Sequence, residues 1–330
     1  MLSDYVAKDH RLVEEFLDRF PEILAAHAGA VEGLEGLEPA WSTDDAAAVA
    51  RGDDSDQGLE AIIERFARPV YLVQDGRITT PGDSFANSEV IESKVRSARS
   101  PIEAAIPSVG RIDLRDHLMD WVGTGWVVAP DLVVTNRHVA REFAEPNGSG
   151  YAFSVHYDGN PTRVTVDFRR EYARTAEARF AVPEVVWIEP PGGYDVAVLR
   201  ITGVGANDER PIPRHLELAE AGDAAPGSWI AAVGFPYLDT RWNLEDQQRI
   251  FDGIYGVKRM SPGRITAAHA DDIVEHDATT LGGSSGSALV DMESGRVVAI
   301  HFGADRYRHP TSNLAVSASR IADIVHRHAR

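Results

Sequence analysis

The sequence contains no cysteine in its 330 residues. This absence excludes disulfide bonds, zinc sites built from thiolates, and a cysteine nucleophile. The apolar runs also fall short of the roughly 18 residues that a helix needs to cross a bilayer. The fold must therefore depend on its hydrophobic core, and we expect no membrane partner.

Basic residues are in the minority, with 33 Lys and Arg against 51 Asp and Glu, for a formal net charge of -18. Proteins that bind nucleic acid concentrate Lys and Arg, so we expect no nucleic-acid partner. The first residues, "MLSDYVAKDHRLVEEFLDRF", place acidic side chains where a secretion signal has a basic region and an apolar run. These features predict a cytoplasmic protein of bacterial type.

The first part of the chain, residues 1–104, has mainly helical patterns. Apolar residues recur every three or four positions over 9–28, which predicts amphipathic helices. A stretch rich in Gly, Ala and Asp follows at about 30–58 and is typical of a linker. Beyond it, "LEAIIERFA" predicts a helix, about 69–78 a short strand with an Asp-Gly turn, and "SEVIESKVRSARSPIEAAI" another helix. This helical N-terminal extension could regulate access or recruit a partner protein, or it could only cover the edge of a sheet.

The remainder, residues 105–330, consists of short β-branched and aromatic runs broken by Gly, Pro and Asp. Examples are "GTGWVVAP", "LVVTNRHVA", "DVAVLRI" and "RVVAIHFG". Many short strands at such spacings favour an all-β sandwich or a pair of barrels. The final segment, "SASRIADIVHRHAR", predicts a helix.

Three motifs in this part bear reactive side chains. His138 follows a strand in "TNRHVA", Asp195 opens a strand in "GGYDVAVLRI", and Ser285 lies between Gly283 and Gly286 in "TTLGGSSGSALV". Each motif alone has an ordinary explanation, as a structural histidine, a turn residue or a Gly/Ser connector. Together they supply what nucleophilic acyl transfer needs: a hydroxyl, a base to activate it, and an acceptor that fixes the base.

In this order, the three motifs resemble those of the trypsin-like (chymotrypsin-fold) serine peptidases. The separations fit as well, with 57 residues from His138 to Asp195 and 90 from Asp195 to Ser285. The resemblance covers about 108–330. It implies a mostly β fold in which two antiparallel six-stranded barrels pack with the active site between them, and a C-terminal helix follows.

The resemblance also implies the role of each residue. Ser285 would be the nucleophile, His138 the general base and then acid, and Asp195 the group that orients the imidazole. The backbone N–H groups of Gly283 and Ser285 would form the oxyanion hole. A serine endopeptidase acting on proteins or peptides is thus expected, with no cofactor. We also expect no metal site, because the twelve histidines show no ligand spacing apart from the terminal "HRH".

The likeness is greatest to bacterial members, such as the glutamyl endopeptidases and the high-temperature-requirement proteases. The positions that line the primary specificity pocket in this family are Thr279, Thr280 and His301 here. A threonine and a histidine at matching places bind an acidic side chain in the glutamyl endopeptidases, and no acid stands at the pocket base to suit Lys or Arg. The resemblance therefore implies a preference for Glu or Asp before the scissile bond. The alternative is that His301 only packs.

Two other functions can be compared with this one. A catalytically idle barrel could bind peptides or a partner through the same cleft, although all three reactive residues are present. An α/β-hydrolase esterase would have the order Ser, acid, His and a Gly-x-Ser-x-Gly elbow in a strand–turn–helix setting. The order here is the reverse and the setting is β, which excludes that fold.

Overall fold

A computed structural model of the chain describes residues 70–79, 89–155, 159–203, 211–239, 244–303 and 312–328. The helices predicted within 9–28 and from Leu59, and the linker at 30–58, lie outside these ranges. None of the helices that are described is long and apolar enough to cross a membrane.

The strand predicted at about 69–78 is a hairpin of two strands, β1 (Tyr71–Gln74) and β2 (Arg77–Thr79). Its turn residues Asp75 and Gly76 both have left-handed backbone conformations, with φ of 54° and 70°. Such a pair matches the right-handed twist of the flanking strands, and Asp-Gly is a favoured sequence for it. The hairpin does not stand apart from the β-rich part, because Tyr71 pairs with Met260 in a sheet described below.

The next predicted helix is divided into α1 (Glu89–Ser97) and α2 (Arg99–Ala105), followed by a 3-10 turn at Ile106–Ser108. Pro101 explains the division. Proline has no N–H, and its ring clashes with the preceding turn when it stands in the interior of a helix. It fits in the first turn of a helix, where the N–H has no intrahelical partner. Pro101 is the third residue of α2, so the chain restarts a helix just before it.

The first barrel follows. Its chain segments, in order, are β3 (Val109–Arg115), β4 (Trp121–Ala129), β5 (Leu132–Thr135), α3 (Arg137–Arg141), the hairpin β6 (Ala144–Asn147) and β7 (Gly150–Phe153), β8 (Arg163–Asp167), β9 (Arg179–Ile188) and β10 (Ala197–Gly203). Six of the strands close into a ring in the order β10-β5-β4-β3-β8-β9. Its interior is filled by aliphatic and aromatic side chains such as Ile112, Val133, Val166, Phe168 and Leu199.

The second barrel contains β11 (Trp229–Gly234), α4 (Leu244–Phe251), β12 (Arg259–Ala268), β13 (Ile273–His276), β14 (Ala288–Asp291), β15 (Val297–Gly303) and β16 (Asn313–Ser317). Its strands run in the order β11-β14-β15-β16-β13-β12, and β11 also pairs with β12, which closes the ring. The hairpin of β1 and β2 extends this sheet beyond β12. Two closed six-stranded antiparallel barrels confirm the predicted fold class.

The C-terminal helix, α5 (Ala318–His328), is also as predicted. Its Ala318, Ile321 and Ile324 recur every third position and are buried, because that face packs on β15 and β16. Arg320 on the same helix pairs with Asp272 of the loop before β13 at hydrogen-bond distance, 3.0 Å from Nε to Oδ2. The helix thereby fixes the end of the second barrel.

Lys258 connects the two barrels. It stands immediately before β12 and is completely buried, with Nζ donating to the carbonyl oxygens of Ile106 at 2.9 Å and Phe168 at 2.8 Å. The carboxylate of Glu171 lies 3.8 Å away. Burial lowers the pKa of Lys258 to about 8, against the attraction of Glu171 and Asp167. Burial of the charged Lys258 amine therefore lowers the stability of the folded protein where the second barrel meets the end of β8.

Candidate active site

His138 is the second residue of the short helix α3, directly after the buried strand β5. Asn136 takes an extended conformation between the two elements, with φ of -82° and ψ of 152°, and so turns the chain from strand to helix. The side chain of His138 is about half exposed, at 47%. A rigid strand thus delivers an imidazole that solvent and a substrate can reach.

Asp195 contacts His138 through both of its carboxylate oxygens. Oδ1 accepts from the backbone N–H of His138 at 2.9 Å, and Oδ2 lies 2.6 Å from Nδ1 of the imidazole. The backbone at Asp195 is held in turn, because the amide of Asn136 donates to its carbonyl oxygen at 2.8 Å. A neutral imidazole that donates from Nδ1 has its lone pair on Nε2, so the contact fixes the tautomer in which Nε2 can accept a proton.

The loop between β13 and β14 presents Ser285. Gly283 and Gly286 on either side of it have left-handed backbones, with φ of 81° and 90°. At Gly286 a side chain is also excluded by space, since a Cβ there would collide with the carbonyl oxygen of Thr124. The glycines in this stretch therefore determine the shape of a tight turn and do not make it a flexible connector.

Thr124, on β4 of the first barrel, holds this loop and was not singled out from the sequence. Its backbone N–H donates to the carbonyl oxygen of Ser285 at 2.9 Å, and its Oγ1 donates to that of Gly283, also at 2.9 Å. Oγ1 also accepts from the N–H of Phe235 at 3.1 Å. The only sequence signal was its position between two glycines in "GTGWVV". Both neighbouring positions are too crowded for a side chain, because a Cβ at Gly123 or Gly125 would collide with side chains of the barrel.

The same strand brings the serine loop next to the histidine helix. A Cβ built at Gly123 would lie 2.9 Å from Cγ2 of Val139 and 3.1 Å from the carbonyl oxygen of Ser285. Val139 is the residue after His138, so Gly123 touches both motifs at once. His301 on β15 supports the loop from the other side, with its carbonyl oxygen accepting the N–H of Gly286 at 2.9 Å.

Two N–H groups of the loop take no part in the hydrogen bonds found among the described residues. Ser284 donates to the carbonyl oxygen of Leu281 at 3.0 Å, and Ser287 donates to that of Ser284 at 2.9 Å. The N–H groups of Gly283 and Ser285 have no acceptor among the described residues. Adjacent free donors on a rigid turn can stabilise an oxygen that gains negative charge.

Residues 123–300 match the family model described as a trypsin-like peptidase domain. The match begins at the glycine beside Thr124 and ends one residue before His301, so it includes all three reactive motifs. The chain belongs to the trypsin-like peptidase family. It is a serine endopeptidase, and hence a hydrolase.

A curated relative agrees with this assignment. The peptidase is 33% identical to a protein of Lysobacter enzymogenes named as a probable serine protease, over 77% of this chain and 72% of that relative. Among solved structures, it is similar to a serine endoprotease from Yersinia pestis, with 18% identity and a TM-score of 0.46. That similarity covers 72% of this chain and 65% of the other. An inactive form of Rv3671c from M. tuberculosis has 22% identity and a TM-score of 0.45, over 71% of this chain and 93% of the other.

The threonines of the predicted specificity pocket lie together. Thr279 and Thr280 of the peptidase line a small pocket behind the serine loop, with Ser284, Ser261 and Arg259. The Oγ1 atom of Thr279 is buried and has no hydrogen-bond partner within the described ranges. No sequence motif singles out Arg259, which stands on β12, 26 residues before Ser285.

His301 is placed differently and is not among the residues that line this cavity. It is buried, at 3% exposed, and its Nδ1 lies 3.1 Å from Nε2 of His276. Burial, and then the charges of His276 and His138, hold its pKa well below the usual histidine range. His301 is therefore neutral near pH 7. Within the described ranges, no group of three or more His, Asp or Glu side chains could hold a metal ion.

Proposed function

We propose that the chain hydrolyses peptide bonds through Ser285, His138 and Asp195, by way of an acyl-enzyme. The observation that supports this most is the double contact of Asp195 with His138, which leaves Nε2 of the imidazole as the proton acceptor. A serine hydroxyl is a weak nucleophile near neutral pH, so it needs such a base. The loop of Ser285 is fixed to the strand that also touches the residue after His138.

The proposed reaction has two halves. Oγ of Ser285 attacks the carbonyl carbon of the scissile bond while Nε2 of His138 takes its proton, and the N–H groups of Gly283 and Ser285 receive the developing oxyanion. His138 then gives the proton to the departing amine as the C–N bond breaks. In the second half, water attacks the acyl ester while His138 takes its proton. His138 then returns that proton to Oγ of Ser285 as the ester bond breaks and the carboxylic acid product leaves. Loss of one oxyanion donor typically costs about 3 kcal/mol of transition-state stabilisation.

We further propose a preference for Glu or Asp before the scissile bond, with Thr279, Thr280 and His301 as the residues concerned. Two supports are the hydroxyl of Thr279, which has no hydrogen-bond partner among the described residues, and the lining of its pocket, in which no described residue is acidic. A pocket without a carboxylate does not favour Lys or Arg. A panel of peptides that differ only at this residue tests the preference, and faster cleavage after Lys or Leu would overturn it.

The nucleophile is tested with a fluorophosphonate probe, which reacts covalently with activated serines. The wild-type protein should be labelled at Ser285, and the Ser285→Ala variant should not. Ser294→Ala is the control, because Ser294 lies in an exposed turn where it contacts Asp291. Labelling that persists in Ser285→Ala would refute the assignment. A wild-type protein that binds peptides but is neither labelled nor able to cleave them would favour the idle barrel.

A further inference from the structure

The cavity behind the serine loop contains a buried cation for which the described residues supply no carboxylate partner. Arg259, the first residue of β12, is 2% exposed and lines the cavity with Thr279 and Thr280. One hydrogen bond is formed by its guanidinium, from Nη2 to the carbonyl oxygen of Phe251 at 2.5 Å, and the group also lies over the Phe251 ring at 5.6 Å. Its Nε is buried and has no hydrogen-bond partner in the described part of the chain.

No carboxylate among the described residues lies within 4 Å of this guanidinium. Asp252, Tyr255 and Tyr172 act on it electrostatically at longer range, and burial still lowers its pKa to about 10. Arg259 is thus cationic at neutral pH. A buried charge is costly unless an opposite charge and hydrogen bonds compensate it, so an unpaired guanidinium in a cavity has donors left for an anion.

A second unpartnered polar atom lies in the same cavity, the Oγ1 of Thr279. Buried polar atoms are nearly always hydrogen-bonded in folded proteins, so two exceptions in one cavity indicate a ligand that supplies the missing partners. A carboxylate can accept from a guanidinium and from a hydroxyl at the same time. A carboxylate therefore matches the two available donors, the guanidinium of Arg259 and the hydroxyl of Thr279.

The position of the cavity connects it to the proposed reaction. Thr279, Thr280 and Ser284 belong to the segment that leads into Ser285, and Ser284 is the residue directly before it. His301, which the resemblance would make the acid-binding group, lies outside the cavity lining and is neutral near pH 7. The cavity therefore owes its positive charge to Arg259.

We propose that Arg259 is the charged specificity determinant of this peptidase, binding the side-chain carboxylate of the substrate residue before the scissile bond together with Thr279. This rests on the proposed function, in which Ser285 attacks that bond. It assigns to β12 a role that the resemblance gave to β15.

The test compares two peptides that differ only in Glu or Gln before the scissile bond. The wild-type protein should cleave the Glu peptide with a kcat/KM roughly 10- to 100-fold higher, the range expected for hydrogen bonds to a charged group. Arg259→Met should bring this ratio close to one, through loss of cleavage of the Glu peptide. An unchanged Glu-to-Gln ratio in Arg259→Met would overturn the proposal.

A second variant keeps the proposal testable if Arg259→Met does not fold. Thr279→Val removes one hydroxyl and leaves the guanidinium in place, so the Glu-to-Gln ratio in kcat/KM should fall several-fold. Thr202→Val is the control, since Thr202 is exposed on β10 of the other barrel. An unchanged Glu-to-Gln ratio in Thr279→Val would contradict the proposed carboxylate site.

Free acetate separates the two sources of a carboxylate. If the site takes the substrate side chain, acetate should inhibit cleavage of both peptides competitively, because it occupies the pocket that either side chain must enter, and Arg259→Met should lose this inhibition. Non-competitive inhibition by acetate would show that the cavity binds a free anion while substrate is bound elsewhere, and would overturn the proposal. Failure of the proposed function gives a different result, because the wild-type protein would then be neither labelled nor active.

Discussion

The backbone N–H of Thr124, on the first barrel, donates to the carbonyl oxygen of Ser285, on the second, at 2.9 Å. Its side chain adds a hydrogen bond to Gly283 two residues earlier in the same loop. One residue thus fixes the backbone at both proposed oxyanion donors. Since Thr124 has no contact with the reacting atoms in this proposal, it is a positioning residue.

Thr124→Val should lower kcat about tenfold and the free energy of unfolding by about 1 to 3 kcal/mol, because it leaves buried groups of Gly283 and Phe235 without their partner. KM should change little. Steady-state kinetics and urea unfolding measure both effects. Thr165→Val, a β-strand threonine of the same barrel that lies away from the loop, should change neither. A purely structural role would lower stability and leave kcat as it was.

Asp195→Asn should reduce kcat by about 10⁴-fold, while KM stays within a few-fold. An amide at this position can donate to Nδ1 of His138, which would place the proton on Nε2 and remove the base. Asp131→Asn is a suitable control, because Asp131 forms an exposed ion pair with Arg200. The kcat for a peptide substrate and the rate of fluorophosphonate labelling should fall together. Activity of Asp195→Asn within tenfold of wild type would contradict the proposed role.

Lys258 should make stability rise with pH in the alkaline range. Its pKa is about 8 in the folded protein, below the value of about 10.4 for an unfolded lysine. Between these values the unfolded chain binds more protons, so the free energy of unfolding rises with pH, by up to about 1.4 kcal/mol per pH unit. Below pH 8 both states hold the proton and the full penalty of burial remains.

Urea unfolding at pH 7.5, 8.5 and 9.5 measures this gain by comparing wild type with Lys258→Met. Wild type should gain stability relative to the variant across the series, whereas Lys94→Met, which removes an exposed lysine on α1, should run parallel to wild type. Parallel curves for wild type and Lys258→Met would mean that Lys258 titrates at its ordinary pKa. The comparison cancels the other groups that titrate in this range.

The Asp-Gly pair at 75–76 and the segment around Pro101 show how far local patterns reach. The turn type follows from two adjacent residues, and the position of a helix start follows from one proline, so both could be predicted in kind. The pairing of Tyr71 with Met260 could not, because it joins residues far apart in the sequence. A sheet edge accepts any strand of suitable register, and no local signal identifies the partner.

The sequence by itself determined the types and order of the reactive groups, His138, Asp195 and Ser285, and the glycines that allow the tight turn. These are local features, since each motif needs only its own neighbours. The distant residues that surround them are known only from the tertiary structure: Thr124 of β4, which contacts the serine loop, Lys258 between the barrels, and Arg259, which lines a pocket with Thr279. Burial, unsatisfied donors and unpaired charge arise when strands from different parts of the chain pack together. They therefore cannot be predicted from the sequence of any one segment.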